Sequence, residues 1–133
     1  MGACPCKDKT VTSLTMPVSV TSIGGAAFRD CSSLTSLTIP ASVTSIGGFA
    51  FFGCSSLAHL TTPKSVTSIG YSAFNDCRSL RRLTIPDSVT RVGVAAFGGS
   101  HSLTHLAIPR SLSCEAAAVA FPDRPEACEV EWI

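Results

Sequence analysis

Apolar and polar positions in this chain follow a pattern that returns every 23 residues. Leu14, Leu37, Leu60, Leu83 and Leu106 hold one place in it, and Pro17, Pro40, Pro63, Pro86 and Pro109 another. Gly24, Gly47, Gly70 and Gly93 keep the same step, as do Phe28, Phe51, Phe74 and Phe97. The copy from Leu34 to Pro63 shows what each unit predicts. Leu34, Leu37 and Ile39 point inward while Ser36 and Thr38 point outward, a period of two that reads as a short strand. Pro40 ends it, because proline has no N–H for a strand ladder. A second extended segment, Ser42–Ile46, turns Val43 and Ile46 inward. Gly47-Gly48 then supplies a turn that calls for positive φ. Ala50, Phe51 and Cys54 face the core, and the spacing from Phe51 to Cys54 suits one turn of α- or 3₁₀-helix.

One copy offers eight inward side chains, Leu34, Leu37, Ile39, Val43, Ile46, Ala50, Phe51 and Cys54, and has nothing of its own to bury them against. Stacking the copies makes one continuous core, and a fixed period in the 20–50 residue range is the mark of such a solenoid. Successive rungs should lie about 4.8 Å apart, the spacing of paired strands. The pattern divides the chain into an N-terminal flank (1–10), repeats (11–112) and a C-terminal cap (113–133). In the cap, Leu112 keeps the valine place, but Val119 and Ala120 take the alanine and phenylalanine places, so Phe121 arrives one residue late. Pro122, Pro125, Cys128 and Trp132 find no earlier counterpart, and Val130 and Trp132 are expected to lie over the last turn. Open solenoid ends can associate end to end where caps are poor.

Composition narrows the function more by exclusion than by assignment. The 133 residues are 45% hydrophobic and 14% charged, enough for a core and too little charge for a disordered chain. A net charge of +1 gives no electrostatic case for nucleic acid. No run approaches the ~20 apolar residues of a membrane helix. No secretory signal follows Met1. Gly2 with Cys4 and Cys6 suggests acylation, but the motif wants Ser or Thr where Cys6 stands. Of the seven cysteines, Cys31, Cys54 and Cys77 belong to the repeat and read as small buried hydrophobes. Cys114 and Cys128 would enclose a 15-residue loop, and a disulfide there would add about 3 kcal/mol on the entropy model.

The string L-x-x-L-x-I-P-x-S-V-x-x-I-G-x-x-A-F-x-x-C-x-x-L resembles the BspA-like leucine-rich repeat, also called the Treponema pallidum type. The resemblance runs from residue 11 to about 112. Where the commoner leucine-rich repeat has Asn or Cys, this chain has Ser19, Ser42, Ser65, Ser88 and Ser111. Their hydroxyls are expected to bond to loop backbone in place of an asparagine ladder. The resemblance implies a right-handed superhelix, mostly β with short helical or 3₁₀ turns and a parallel sheet on the concave face. It also implies protein binding or adhesion at a cell surface or outside the cell.

The outward positions form files along that sheet. One reads Ser13, Ser36, His59, Arg82, His105; the next Thr15, Thr38, Thr61, Thr84, Ala107; a third Thr12, Thr35, Ala58, Arg81, Thr104. His59, Arg81, Arg82 and His105 are the candidate binding residues here, since a guanidinium can grip a carboxylate with two bonds; the bland alternative is a solvated sheet face. Phe49, Phe52 and Tyr71 replace small or polar residues of other copies and form a candidate aromatic edge, with local repacking as its bland alternative. His59 and His105, two rungs or about 9.6 Å apart with Arg82 between them, do not suit a metal. No catalytic constellation stands out, and no cofactor is called for. The sequence therefore points to a non-enzymatic module binding a protein ligand; the alternative is a structural spacer within a larger surface protein.

Overall fold

The computed structural model describes residues 12–110, Leu112 and residues 129–133. Each copy forms two short strands. The first set makes a six-stranded sheet in the order β1 (Ser13–Thr15), β3 (Ser36–Thr38), β5 (His59–Thr61), β7 (Arg82–Thr84), β9 (His105–Ile108) and β10 (Glu129–Trp132). The second set, β2 (Ser22–Ile23), β4 (Ser45–Ile46), β6 (Ser68–Ile69) and β8 (Arg91–Val92), makes a four-stranded sheet. All pairings are parallel and in register: Leu14 faces Leu37, Leu37 faces Leu60, and Leu83 faces Leu106. The repeats thus lie on one another as equivalent rungs of a parallel β-solenoid.

The core is a set of vertical files. Leu34, Leu57, Leu80 and Leu103 are buried, as are Val43, Val66 and Val89. Phe28, Phe51, Phe74 and Phe97 stack with centroids 5.2, 5.1 and 5.2 Å apart and planes within 10° of parallel. That separation lies in the favoured range for offset aromatic stacking.

The segment after each second strand differs from expectation. It contains no helix among the described residues. Its amides alternate in direction. Ala50, Phe52 and Cys54 donate to carbonyls three residues back, whereas Phe49, Phe51 and Gly53 donate to Tyr71, Ala73 and Asn75 of the next turn. Left-handed residues at Phe49 (φ 59°) and Gly53 (φ 78°) prevent the helical bonds from continuing. Every second donor is spent on stacking instead.

The repeated glycine also has a role other than the expected one. Positive φ falls on Ala26, Phe49, Ser72 and Ala95, not on Gly24, Gly47, Gly70 or Gly93. Gly47 is small because the previous turn is close: its N–H donates to the Ile23 carbonyl at 2.8 Å. An added Cβ would sit 2.8 Å from the Gly25 nitrogen and 2.9 Å from the Ile23 oxygen.

The serine hydroxyls behave as the family resemblance implies. Ser42, Ser65 and Ser88 donate to the carbonyls of Val20, Val43 and Val66 in the preceding turn, at 2.6, 2.6 and 2.8 Å. Ser111 lies outside the described residues.

One core file carries a flaw. Met16, Ile39, Ile85 and Ile108 share it with Thr62, which is 7% exposed and whose Oγ1 has no hydrogen-bond partner. An unsatisfied buried hydroxyl costs about 1–3 kcal/mol. Thr62→Ile, matching the other rungs, is expected to raise stability by about 1–3 kcal/mol, read as a higher urea midpoint at unchanged m. A lower midpoint would show that the file has no room for the larger side chain.

The C-terminal strand lies over the last turn and adds a rung to the sheet. β10 joins β9 with Val130 facing Leu106 and Trp132 facing Ile108. Trp132 therefore continues the file of Ile85 and Ile108 as a sixth rung, over the last turn as the sequence leads one to expect. His105 faces Glu129, a step of 24 residues, while Arg82 faces His105, a step of 23. The extra residue is the same offset that delays Phe121.

The repeat cysteines are not equivalent. Cys54 and Cys77 are buried thiols whose Sγ atoms donate to the carbonyls of Phe28 and Phe51 at 3.5 and 3.7 Å. Burial, and to a lesser degree Cys54 and Asp76, pushes the Cys77 thiol well above its ordinary value, so it stays protonated. Cys31, expected to be a third buried thiol, is instead disulfide-bonded, with its partner outside the described residues. Cys114 and Cys128, the pair considered for a disulfide, also lie outside them.

Candidate functional site

The six-stranded sheet turns alternate side chains away from the core, and the parallel register converts sequence spacing into a file. His59 faces Arg82, and Arg82 faces His105. All three are exposed on neighbouring rungs, about 4.8 Å apart. Arg81 stands one residue ahead of β7 and is exposed too; its carbonyl accepts the amides of Thr104 and His105 at 2.8 and 3.2 Å. The Thr104 hydroxyl lies 3.0 Å from His105 Nδ1, which fixes how that ring sits. Neither Arg81 nor Arg82 has an ion pair among the described residues; the ion pairs there are Arg29–Asp30 and Arg78–Asp76. The structure therefore brings His59, Arg82 and His105 together and leaves Arg81 beside them.

A cavity of about 570 Å³ opens at the C-terminal end of this face. Arg82, Thr84, His105, Ala107 and Glu131 supply its outward side chains. Sequence reasoning missed Thr84, Ala107 and Glu131. The signal for Ala107 was present, because it interrupts a file of four threonines. Glu131 gave no signal, because its segment was read as a cap and not as a rung.

The aromatic edge is also assembled. Phe49 makes edge contacts to Phe52 at 5.5 Å and Tyr71 at 5.1 Å. Arg29, from the preceding turn, lies 5.7 and 5.1 Å from the Phe49 and Phe52 ring centroids. Phe49 and Phe52 are half-buried and Tyr71 is 58% exposed. Arg29 was missed as a member of the cluster because its place in the repeat belongs to the same file as Phe52.

Comparison with known proteins fits this geometry. The profile of the BspA type leucine rich repeat region matches residues 3–121 in six copies. The chain belongs to the BspA-type leucine-rich repeat family. Solved structures similar to it include a leucine-rich repeat protein of Bacteroides ovatus (33% identity, TM-score 0.76, 85% of this chain and 28% of that one). A leucine rich cell surface protein of Faecalibacterium prausnitzii shares 31% identity at TM-score 0.80, over 92% of this chain and 32% of that one. The Treponema pallidum leucine rich repeat protein shares 33% identity at TM-score 0.71, over 73% of this chain and 45% of that one. This BspA-type chain thus spans 28% to 45% of the length of these relatives. No curated protein sequence matches it.

Proposed function

We propose that this BspA-type unit is a non-enzymatic protein-binding or adhesion module acting at a cell surface through the outward face of its six-stranded sheet. The observation that carries the reading is the in-register file His59–Arg82–His105 leading into a cavity. Guanidiniums with no ion pair among the described residues offer charge and geometry to an acidic partner. The likeness to a Faecalibacterium prausnitzii cell surface protein supports the location. A non-catalytic role is supported by the serines, since Ser42, Ser65 and Ser88 spend their hydroxyl protons on backbone carbonyls. The aromatic edge is a second candidate surface. A spacer role is the alternative, favoured by the exposed Ser13, Ser36, Thr15, Thr38 and Thr61 that fill the rest of that face.

The test is binding to an array of purified extracellular proteins. A partner held by the wild-type chain should be lost at least about tenfold by the double variant Arg81→Glu, Arg82→Glu, and retained by Phe52→Asn. A wild-type chain that captures nothing, or a double variant that binds as well, overturns the sheet-face reading in favour of the spacer. Loss on Phe52→Asn alone moves the interface to the aromatic edge.

A further inference from the structure

From the cavity at the end of the sheet face, we infer that the partner is anchored by a segment carrying an acidic and a basic side chain a few residues apart. The inference rests on the sheet-face reading above and specifies its chemistry.

One residue of the cavity departs from the repeat. Thr15, Thr38, Thr61 and Thr84 form an unbroken outward file, and Ala107 ends it. Ala107 lacks the hydroxyl and methyl of the other rungs and leaves the cavity deeper between Thr84 and Glu131, over the strand positions Leu83 and Leu106. Its walls have opposite charge. On one side stands the Arg82 guanidinium, with His105 beside it; on the other stands the Glu131 carboxylate. Arg82 lies on β7 and Glu131 on β10, two rungs apart and offset along the strand. Strand geometry puts their Cα atoms about 12 Å apart. No ion pair joins Arg82 to Glu131 among the described residues, and both line the cavity.

A ligand with only a carboxylate would satisfy Arg82 and be repelled by Glu131. A ligand with only an ammonium would meet the reverse. A segment bearing both matches the two walls at once. In an extended chain, side chains on one face recur about every 6.8 Å, so an acid and a base two residues apart span the gap once their own lengths are added. The cavity volume suits a side-chain-sized ligand, since ligand sites run from about 300 to 1,000 Å³. The unlike walls also confer selectivity, because a wrongly charged segment sets like charges against one wall.

The experiment titrates isotopically labelled protein with the peptide acetyl-Gly-Glu-Gly-Lys-Gly-amide and follows backbone amide shifts. Saturable shifts are expected at Thr84, His105, Ala107 and Glu131, and not at the Gln/Gln counterpart of the peptide. Ala107→Thr restores the residue of the four other rungs, so it should fold, yet it places a hydroxyl and a methyl in the middle of the cavity between Thr84 and Glu131. It and Arg82→Gln should each weaken binding about tenfold or more. Glu131→Gln should weaken the Glu/Lys peptide and strengthen a Glu/Gln one. Equal binding by wild type and Ala107→Thr, or no shifts with wild type, overturns the anchor. Either result leaves the broader sheet-face reading to the Arg81/Arg82 double variant, so the two failures are distinguishable.

Discussion

Phe51→Ala is expected to remove most of the stability of this solenoid. The ring is fully buried and stacks on Phe28 at 5.2 Å and Phe74 at 5.1 Å. Truncating a buried phenylalanine costs about 3–5 kcal/mol in lost transfer energy and residual cavity. Each aromatic pair adds about 0.5–1.5 kcal/mol beyond area burial, and here two pairs go at once. A domain of this size has about 5–15 kcal/mol in total. Stability in a stacked array is approximately the sum of unit and neighbour terms, so damage to an inner rung weakens two interfaces. Urea unfolding followed by circular dichroism should show a midpoint collapse for Phe51→Ala. Phe52→Ala, half-buried next to it, should lose far less. Equal losses would mean that the aromatic file is not the main source of cohesion.

The second large effect comes from one atom added to a glycine. In Gly70→Ala the new Cβ would lie 2.5 Å from the Gly48 nitrogen and 2.7 Å from the Gly47 carbonyl carbon. These are backbone atoms and cannot swing aside. The turns must separate, which lengthens the 2.8 Å bond from the Gly70 amide to the Ile46 carbonyl. Overpacking and a disrupted buried bond together cost about 3–5 kcal/mol. Gly24→Ala is the control. Its Cβ would meet nothing within 4 Å, and it should be neutral or gain up to about 1 kcal/mol by restricting the unfolded chain. Similar midpoints for the two variants would refute the steric account of these glycines.

Most of the fold was legible because the repeat shows every local choice several times over. Leu37, Ile46, Phe51 and Cys54 each recur at the same place, so period and burial support one another. The parts that were misread are those a one-dimensional pattern does not encode. Gly47 looked like a positive-φ residue because glycine usually serves that need. The actual constraint is the Ile23 carbonyl one turn away, a non-local contact. The Phe51–Cys54 spacing fits a helix, yet the left-handed residues at Phe49 and Gly53 divert alternate amides to the neighbouring turn. For the candidate site, the sequence supplied the file of His59, Arg82 and His105, since register follows from the period. It did not supply Glu131, because a single extra residue before β10 hid that strand from the 23-residue frame.

The alternating amides also set how such a chain can change length. Ala26, Phe28 and Asp30 donate to Gly48, Ala50 and Phe52; Ser72, Phe74 and Asp76 donate in the same way to Val94, Ala96 and Gly98. These turns therefore present the same plug below and the same socket above. Unequal recombination between copies can insert or delete a whole unit without creating an unmatched joint. Each insertion would move whatever is tethered at one end about 4.8 Å further from the other.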